Sequence, residues 1–113
     1  MSQISTHVLD TSQGRPGKGV PVTLERRTAR AWEVVGQGVT DAAGRLKDLL
    51  PSNSALRAGT YRLTFDTHSY FSAQQVDSFY PSVTVVFTVH DATQHYHVPL
   101  LLSPFGYSTY RGS

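Results

Sequence analysis

The sequence predicts a single all-β domain of sandwich or barrel type, spanning residues 1–113. Three observations lead there. Apolar and polar residues alternate through nearly the whole chain, the period of half-buried strands. Turn-forming residues cut the alternating runs into pieces of strand length. Only Asp66 to Gln75 breaks the alternation while containing neither Gly nor Pro.

The elements follow in order. Ile4 to Leu9 is the first strand, with Ile4, Thr6 and Val8 on one face and Ser5, His7 and Leu9 on the other. Gly14 to Gly19 is a glycine-rich loop, and Val20 to Glu25 alternates strictly. Ala31 to Val35 is the next strand. Thr40-Asp41-Ala42-Ala43-Gly44-Arg45 is a tight turn in which Gly44 is free to take positive φ. Tyr61 to Asp66 alternates again. Asp66 or Thr67 then caps one short helix over residues 67–75. Val83 to Val89 is β-branched and apolar and reads as a central strand. His95 to Leu101 and Gly106 to Arg111 complete the set. No repeat, linker or low-complexity stretch interrupts the chain.

Composition narrows the partners. A chain of 113 residues supports one modest core. With 11% aromatic and only 16% charged residues it is not a disordered segment, and the low charge suggests that self-association covers part of the surface. Ten Lys and Arg against eight Asp and Glu leave a net charge of +2, too little for a nucleic-acid stripe. The densest basic run, Glu25 to Arg30, reads as a solvated strand end and turn. The lack of cysteine removes disulfides, thiolate metal sites and thiol catalysis. There is no apolar leader at the N-terminus and no run of roughly 18 apolar residues. The expectation is a cytoplasmic protein that engages neither membrane nor nucleic acid.

Familiar catalytic signatures are missing. Gly106-Tyr107-Ser108-Thr109-Tyr110 lacks the second glycine of a nucleophile elbow. The Gly14 to Gly19 loop lacks the spacing of a phosphate loop and the hydroxyl residue after its lysine. Histidine is more informative. His68 and His90, beside helix-like and turn-like sequence, read as surface residues. His95 and His97 lie two apart in a strand and project from one face. Such a pair can bind metal, but no cluster of further ligands is visible, so neither metal nor cofactor is expected. The last residues, from His95 to Ser113, are apolar and aromatic almost to the end. A tail of that kind has to dock, because chain ends are ordinarily polar and frayed.

That tail carries a resemblance. Tyr110-Arg111-Gly112-Ser113 is similar to the C-terminal signature of the transthyretin-like 5-hydroxyisourate hydrolases. Thr6-His7-Val8-Leu9-Asp10 followed by Gly14-Arg15-Pro16 resembles the family's first signature. Asp41 to Arg45 and Gly59 to Phe65 fit its middle. The resemblance implies two four-stranded sheets with one short helix, assembled as homotetramers with active sites at a dimer interface. It also implies opening of the 5-hydroxyisourate ring by water at the C6–N1 bond. The product is 2-oxo-4-hydroxy-4-carboxy-5-ureidoimidazoline, a step of urate degradation that needs neither metal nor cofactor. By position, the family's catalytic residues fall on His7, Arg45 and His97, and its substrate-binding tail on Ser108, Tyr110, Arg111 and Ser113. His7 and His97 then share water activation and proton transfer, with their order open, while Arg45 polarises the substrate. The alternative on the same fold is a non-enzymatic small-molecule carrier, since a fold does not set a function.

Overall fold

A computed structural model describes residues 3–51 and 55–113. Two sheets face each other. The first is built from β1 (Ile4–Asp10), β2 (Arg15–Pro16), β5 (Arg45–Leu46), β8 (Tyr96–Ser103) and β9 (Gly106–Thr109). The second runs β4-β3-β6-β7, from β3 (Pro21–Arg27), β4 (Trp32–Val39), β6 (Gly59–Phe65) and β7 (Val83–Val89). The two-residue strands β2 and β5 both pair with β1, β2 at Leu9 and Asp10 and β5 at Thr6 and His7. They occupy the edge of β1 at different heights, so the first layer is four strands wide at any level. No helix among the described residues is long and apolar enough to cross a membrane.

Alternation places the core as expected. Ile4 and Val8 of β1, Leu24 of β3, Leu63 and Phe65 of β6 and Leu100 of β8 are completely buried between the layers. A core of this size is the main favourable term for a domain of this length. The β1–β8 pair is parallel, with Ser5 opposite His97 and His7 opposite Pro99. Parallel neighbours need a long crossover, and here the whole second sheet and the helix lie between them in the chain.

The single helix among the described residues, α1 (Thr67–Ser72), is capped by Asp66, whose carboxylate accepts from the Ser69 N–H at 3.1 Å. It is shorter than the expected 67–75. Gln75 turns left-handed at φ 58°, and the Val76 N–H bonds back to the Phe71 carbonyl, closing the helix. Phe71 enters the core, and the Tyr70 hydroxyl donates to the buried Asp10 carboxylate at 2.7 Å.

Four expectations need adjustment. β7 is an edge strand, not a central one: among the described residues it pairs only with β6, and Val86 is 58% exposed. Its β-branched composition suits any pleated strand and does not report its place in the sheet. β4 runs on to Val39, past a bulge opposite Leu24 and Glu25. Its Gly36 passes so close to Leu49 that a Cβ there would overlap the Leu49 carbonyl oxygen. β9 stops at Thr109, two residues short. The tail does dock, through its backbone and the side chains of Thr109 and Arg111, while those of Phe105, Tyr107 and Tyr110 stay exposed on the single chain.

Candidate active site

The turn before β5 delivers the first pair of residues. Asp41 organises it by accepting backbone N–H bonds from Ala43 and Arg45, both at 2.9 Å. These bonds, the Arg45 one foremost, hold the Asp41 carboxyl below its usual range. Gly44 takes φ 77°, as its position in the turn demands, and a Cβ there would lie 2.3 Å from the Val8 carbonyl oxygen. The Gly44 carbonyl accepts from the Val8 N–H at 2.7 Å. The turn is thereby pinned to β1, and Arg45 falls directly opposite His7 across the β1–β5 pair. Directly opposed residues project from the same face of a sheet.

His7 is oriented from the same turn. Its Nε2 lies 3.0 Å from the Ala43 carbonyl oxygen. A carbonyl only accepts, so His7 carries a hydrogen on Nε2, and in the neutral ring Nδ1 is the basic nitrogen.

β8 delivers the second pair. Since Ser5 is opposite His97 in the parallel β1–β8 pair, the Ser5–His7 face and the His95–His97 face are one surface. Ser5 Oγ lies 2.8 Å from His97 Nδ1 and 2.9 Å from His95 Nε2. The two imidazoles lie nearly parallel, with centroids 6.5 Å apart. His97 is depressed below the usual histidine value of 6.5, first by burial and then by the charges of His95, His7 and Arg45. Its ring is therefore neutral at neutral pH.

The tail reaches this surface at one point. Gly112 pairs with His97 as an isolated bridge, its N–H donating to the His97 carbonyl at 2.8 Å. Only glycine fits there, since a Cβ would stand 2.6 Å from His97 Cδ2. Ser113 then enters a concavity of about 360 Å³ that His7, Arg45, His95 and His97 also line. Tyr110 and Arg111 border a second, smaller hollow of about 130 Å³ beside Val85 and Phe87, which His97 also lines. Arg111 stacks over the Tyr96 ring at 4.6 Å and donates to Gln94 at 2.9 Å. Ser108 is exposed on β9, opposite Leu101.

Of the seven residues singled out in the sequence, the single chain brings His7, Arg45, His97 and Ser113 into one concavity. Ser108, Tyr110 and Arg111 lie outside it. Ser5 and Lys47 also line the site and were not singled out. Ser5 had a signal in the sequence, sharing the His7 face by simple alternation. Lys47 had none, because nothing in the sequence marks Arg45–Leu46 as a strand.

A model of the HIUase/Transthyretin family matches residues 4–112. The chain belongs to the HIUase/Transthyretin family. Among relatives in this family, a probable 5-hydroxyisourate hydrolase of Caenorhabditis elegans is 50% identical over 112 residues, covering 99% of this chain and 82% of its own. The structure of Klebsiella pneumoniae 5-hydroxyisourate hydrolase superposes with a TM-score of 0.85 at 39% identity, covering 97% of this chain and 98% of that one. Sea bream transthyretin in complex with thyroxine superposes with a TM-score of 0.91 at 34% identity, covering 98% and 95%. Backbone similarity thus groups this chain with both branches of the family, and the side chains of the concavity have to separate them.

Proposed function

We propose that this protein is an enzyme that hydrolyses 5-hydroxyisourate at its C6–N1 bond, giving 2-oxo-4-hydroxy-4-carboxy-5-ureidoimidazoline in urate degradation. The observation that carries the reading is the convergence of two imidazoles and one guanidinium, His7, His97 and Arg45, on a single concavity. A carrier has no need of that set. Hydrolysis of a cyclic amide requires a base for the attacking water, a cation for the oxyanion that forms on the carbonyl, and a proton for the departing nitrogen.

His97 suits the first task, because burial and the surrounding positive charge keep it neutral. Water loses a proton to it while its oxygen bonds to C6. Arg45 suits the second, since its guanidinium stays charged and presents a planar fork to a planar substrate. As the tetrahedral species collapses and C6–N1 breaks, N1 takes a proton from Nδ1 of His7 in its imidazolium form, and the proton that His97 took from water returns to His7 through solvent, restoring both rings. Ser113 closes one side of the site, held by the Gly112 bridge to His97. Ser108, Tyr110 and Arg111 complete the substrate pocket from a neighbouring copy, within a homotetramer whose sites lie at a dimer interface. The exposed Phe105, Tyr107 and Tyr110 and the outer edges of β7 and β9 support such an assembly. We place the enzyme in the cytoplasm, a reducing compartment with which its cysteine-free sequence is compatible.

The test is spectroscopic. Urate is oxidised to 5-hydroxyisourate in the cuvette, the protein is added, and decay of the ultraviolet absorbance is followed. Decay well above the spontaneous rate supports the hydrolase. Decay at the spontaneous rate, together with saturable binding of an aromatic ligand, would establish the carrier instead.

Three further outcomes are expected. First, kcat/KM should fall as pH drops through the pKa of His97, with the acid limb centred below the 6.5 of an ordinary histidine. A limb centred above that value would assign the base elsewhere. The same depression lowers stability as pH falls from that value, because the unfolded chain then binds a proton that the folded site resists. Second, Gly112→Ala should displace the His97 ring and lower turnover by roughly 10- to 100-fold, since small misplacements of a reacting group are costly. Thermal unfolding should move little, because Gly112 lies outside the core. Third, sedimentation should give a tetramer that Tyr107→Asp weakens. Tyr107 meets the Tyr80 ring edge to face at 5.3 Å in the exposed aromatic patch.

A further inference from the structure

We propose that Ser5 is a positioning residue that couples the tautomer of His97 to the protonation state of His95. The inference deepens the hydrolase reading and rests on it for its catalytic consequence alone.

Ser5 is 94% buried, and its hydroxyl is shared between two imidazole nitrogens, His97 Nδ1 at 2.8 Å and His95 Nε2 at 2.9 Å. A hydroxyl has a single hydrogen to donate. A buried hydroxyl that keeps its own hydrogen paired donates to one nitrogen and accepts from the other, which leaves two arrangements; accepting from both would strand the hydroxyl hydrogen. In one, His97 Nδ1–H donates to Ser5 and Ser5 donates to a bare His95 Nε2. His97 then presents an unprotonated Nε2 and is competent as a base. In the other, His95 Nε2–H donates to Ser5 and Ser5 donates to His97 Nδ1. The His97 proton then sits on Nε2, and the ring is a donor.

Protonation of His95 biases the choice. Both nitrogens of an imidazolium donate, so Ser5 keeps its own hydrogen paired only by turning it toward His97, which favours the Nε2–H tautomer of His97. His95 is exposed while His97 is half-buried, so solvent reaches the first ring and sets the second through the serine. The other titratable or charged groups facing the pair are His7 on β1, Arg45 on β5 and Lys47 just beyond it, and Ser113 from the tail completes the lining. Arg111 approaches from the tail but is engaged with Tyr96 and Gln94. Burial together with His95, His7 and Arg45 holds His97 below 6.5, which keeps its two neutral tautomers the relevant pair.

The coupling is read by long-range proton–nitrogen NMR of the full-length protein labelled with ¹⁵N-histidine, where protonated and bare ring nitrogens have well-separated shifts. In the unmodified protein the His97 proton should move from Nδ1 to Nε2 as His95 titrates. Ser5→Ala should make the His97 tautomer indifferent to His95, Ser5→Thr should restore the response, and His95→Phe should abolish it while assigning the resonances. In parallel, kcat on 5-hydroxyisourate should fall by about 10-fold in Ser5→Ala with KM little changed, and recover in Ser5→Thr. A His97 tautomer that ignores the His95 titration in the unmodified protein overturns the proposal. So does an unchanged kcat in Ser5→Ala once the coupling is lost. Absence of hydrolysis by the unmodified protein refutes the hydrolase reading alone, because the NMR response does not depend on substrate.

Discussion

Replacing His97 by Asn is expected to lower turnover of 5-hydroxyisourate by about 10²- to 10⁴-fold, the usual contribution of a positioned general base. Asn is the informative substitution because its amide reaches roughly where Nδ1 does. It retains a partner for Ser5, which sits 2.8 Å from that nitrogen, but it cannot take up a proton. The strand keeps its backbone pairing to Ser5 on one side and to Gly112 on the other. Thermal unfolding should therefore shift by no more than about 5 °C, corresponding to roughly 1 kcal/mol in a domain of this size. Turnover and melting temperature are measured on the same preparation. Near-normal turnover in the variant would remove His97 from the reaction. A loss of turnover matched by a collapse in melting temperature would assign it a structural role.

Arg45→Met should cost about 10²- to 10³-fold in kcat/KM, the range seen when a donor to a developing oxyanion is removed. The turn should survive, since Asp41 accepts from the Arg45 backbone N–H and not from its guanidinium. The β5 register opposite His7 is likewise a backbone matter. Arg45→Lys sharpens the result: it keeps the charge and loses the planar fork, so activity between the two identifies how much the geometry contributes. Lys47 lines the same concavity and supplies a second positive charge. Activity of Arg45→Met equal to the unmodified protein would transfer the oxyanion role to that residue.

Much of the fold was legible because alternation is a local property. Ile4 to Leu9, Val20 to Glu25 and Tyr61 to Phe65 each record in the sequence which side chains face the core, and the helix stood out where alternation failed. The two-residue strands β2 and β5 were not legible, since a pair of residues has no period. The edge position of β7 was not legible either: Val83 to Val89 has the composition of a buried strand, and only its missing neighbour exposes Val86. For the site, the side chains of the tail motif divide: Ser113 lies beside the histidines, while Tyr110 and Arg111 border a second hollow that His97 also lines.

From the sequence alone come the strand faces, the obligatory glycine in the turn before Arg45, the His-x-His pair on one face and the family signature at both ends. These depend on chemistry within a few residues. The tertiary structure alone decided that His7 and His97 share a surface. Ser5 and His97 are 92 positions apart, and only the parallel pairing of β1 with β8 brings them within hydrogen-bonding distance. That pairing is selected by burial of Ile4, Val8, Leu100 and Leu102 on the opposite face, a sum over the whole core that no local pattern contains.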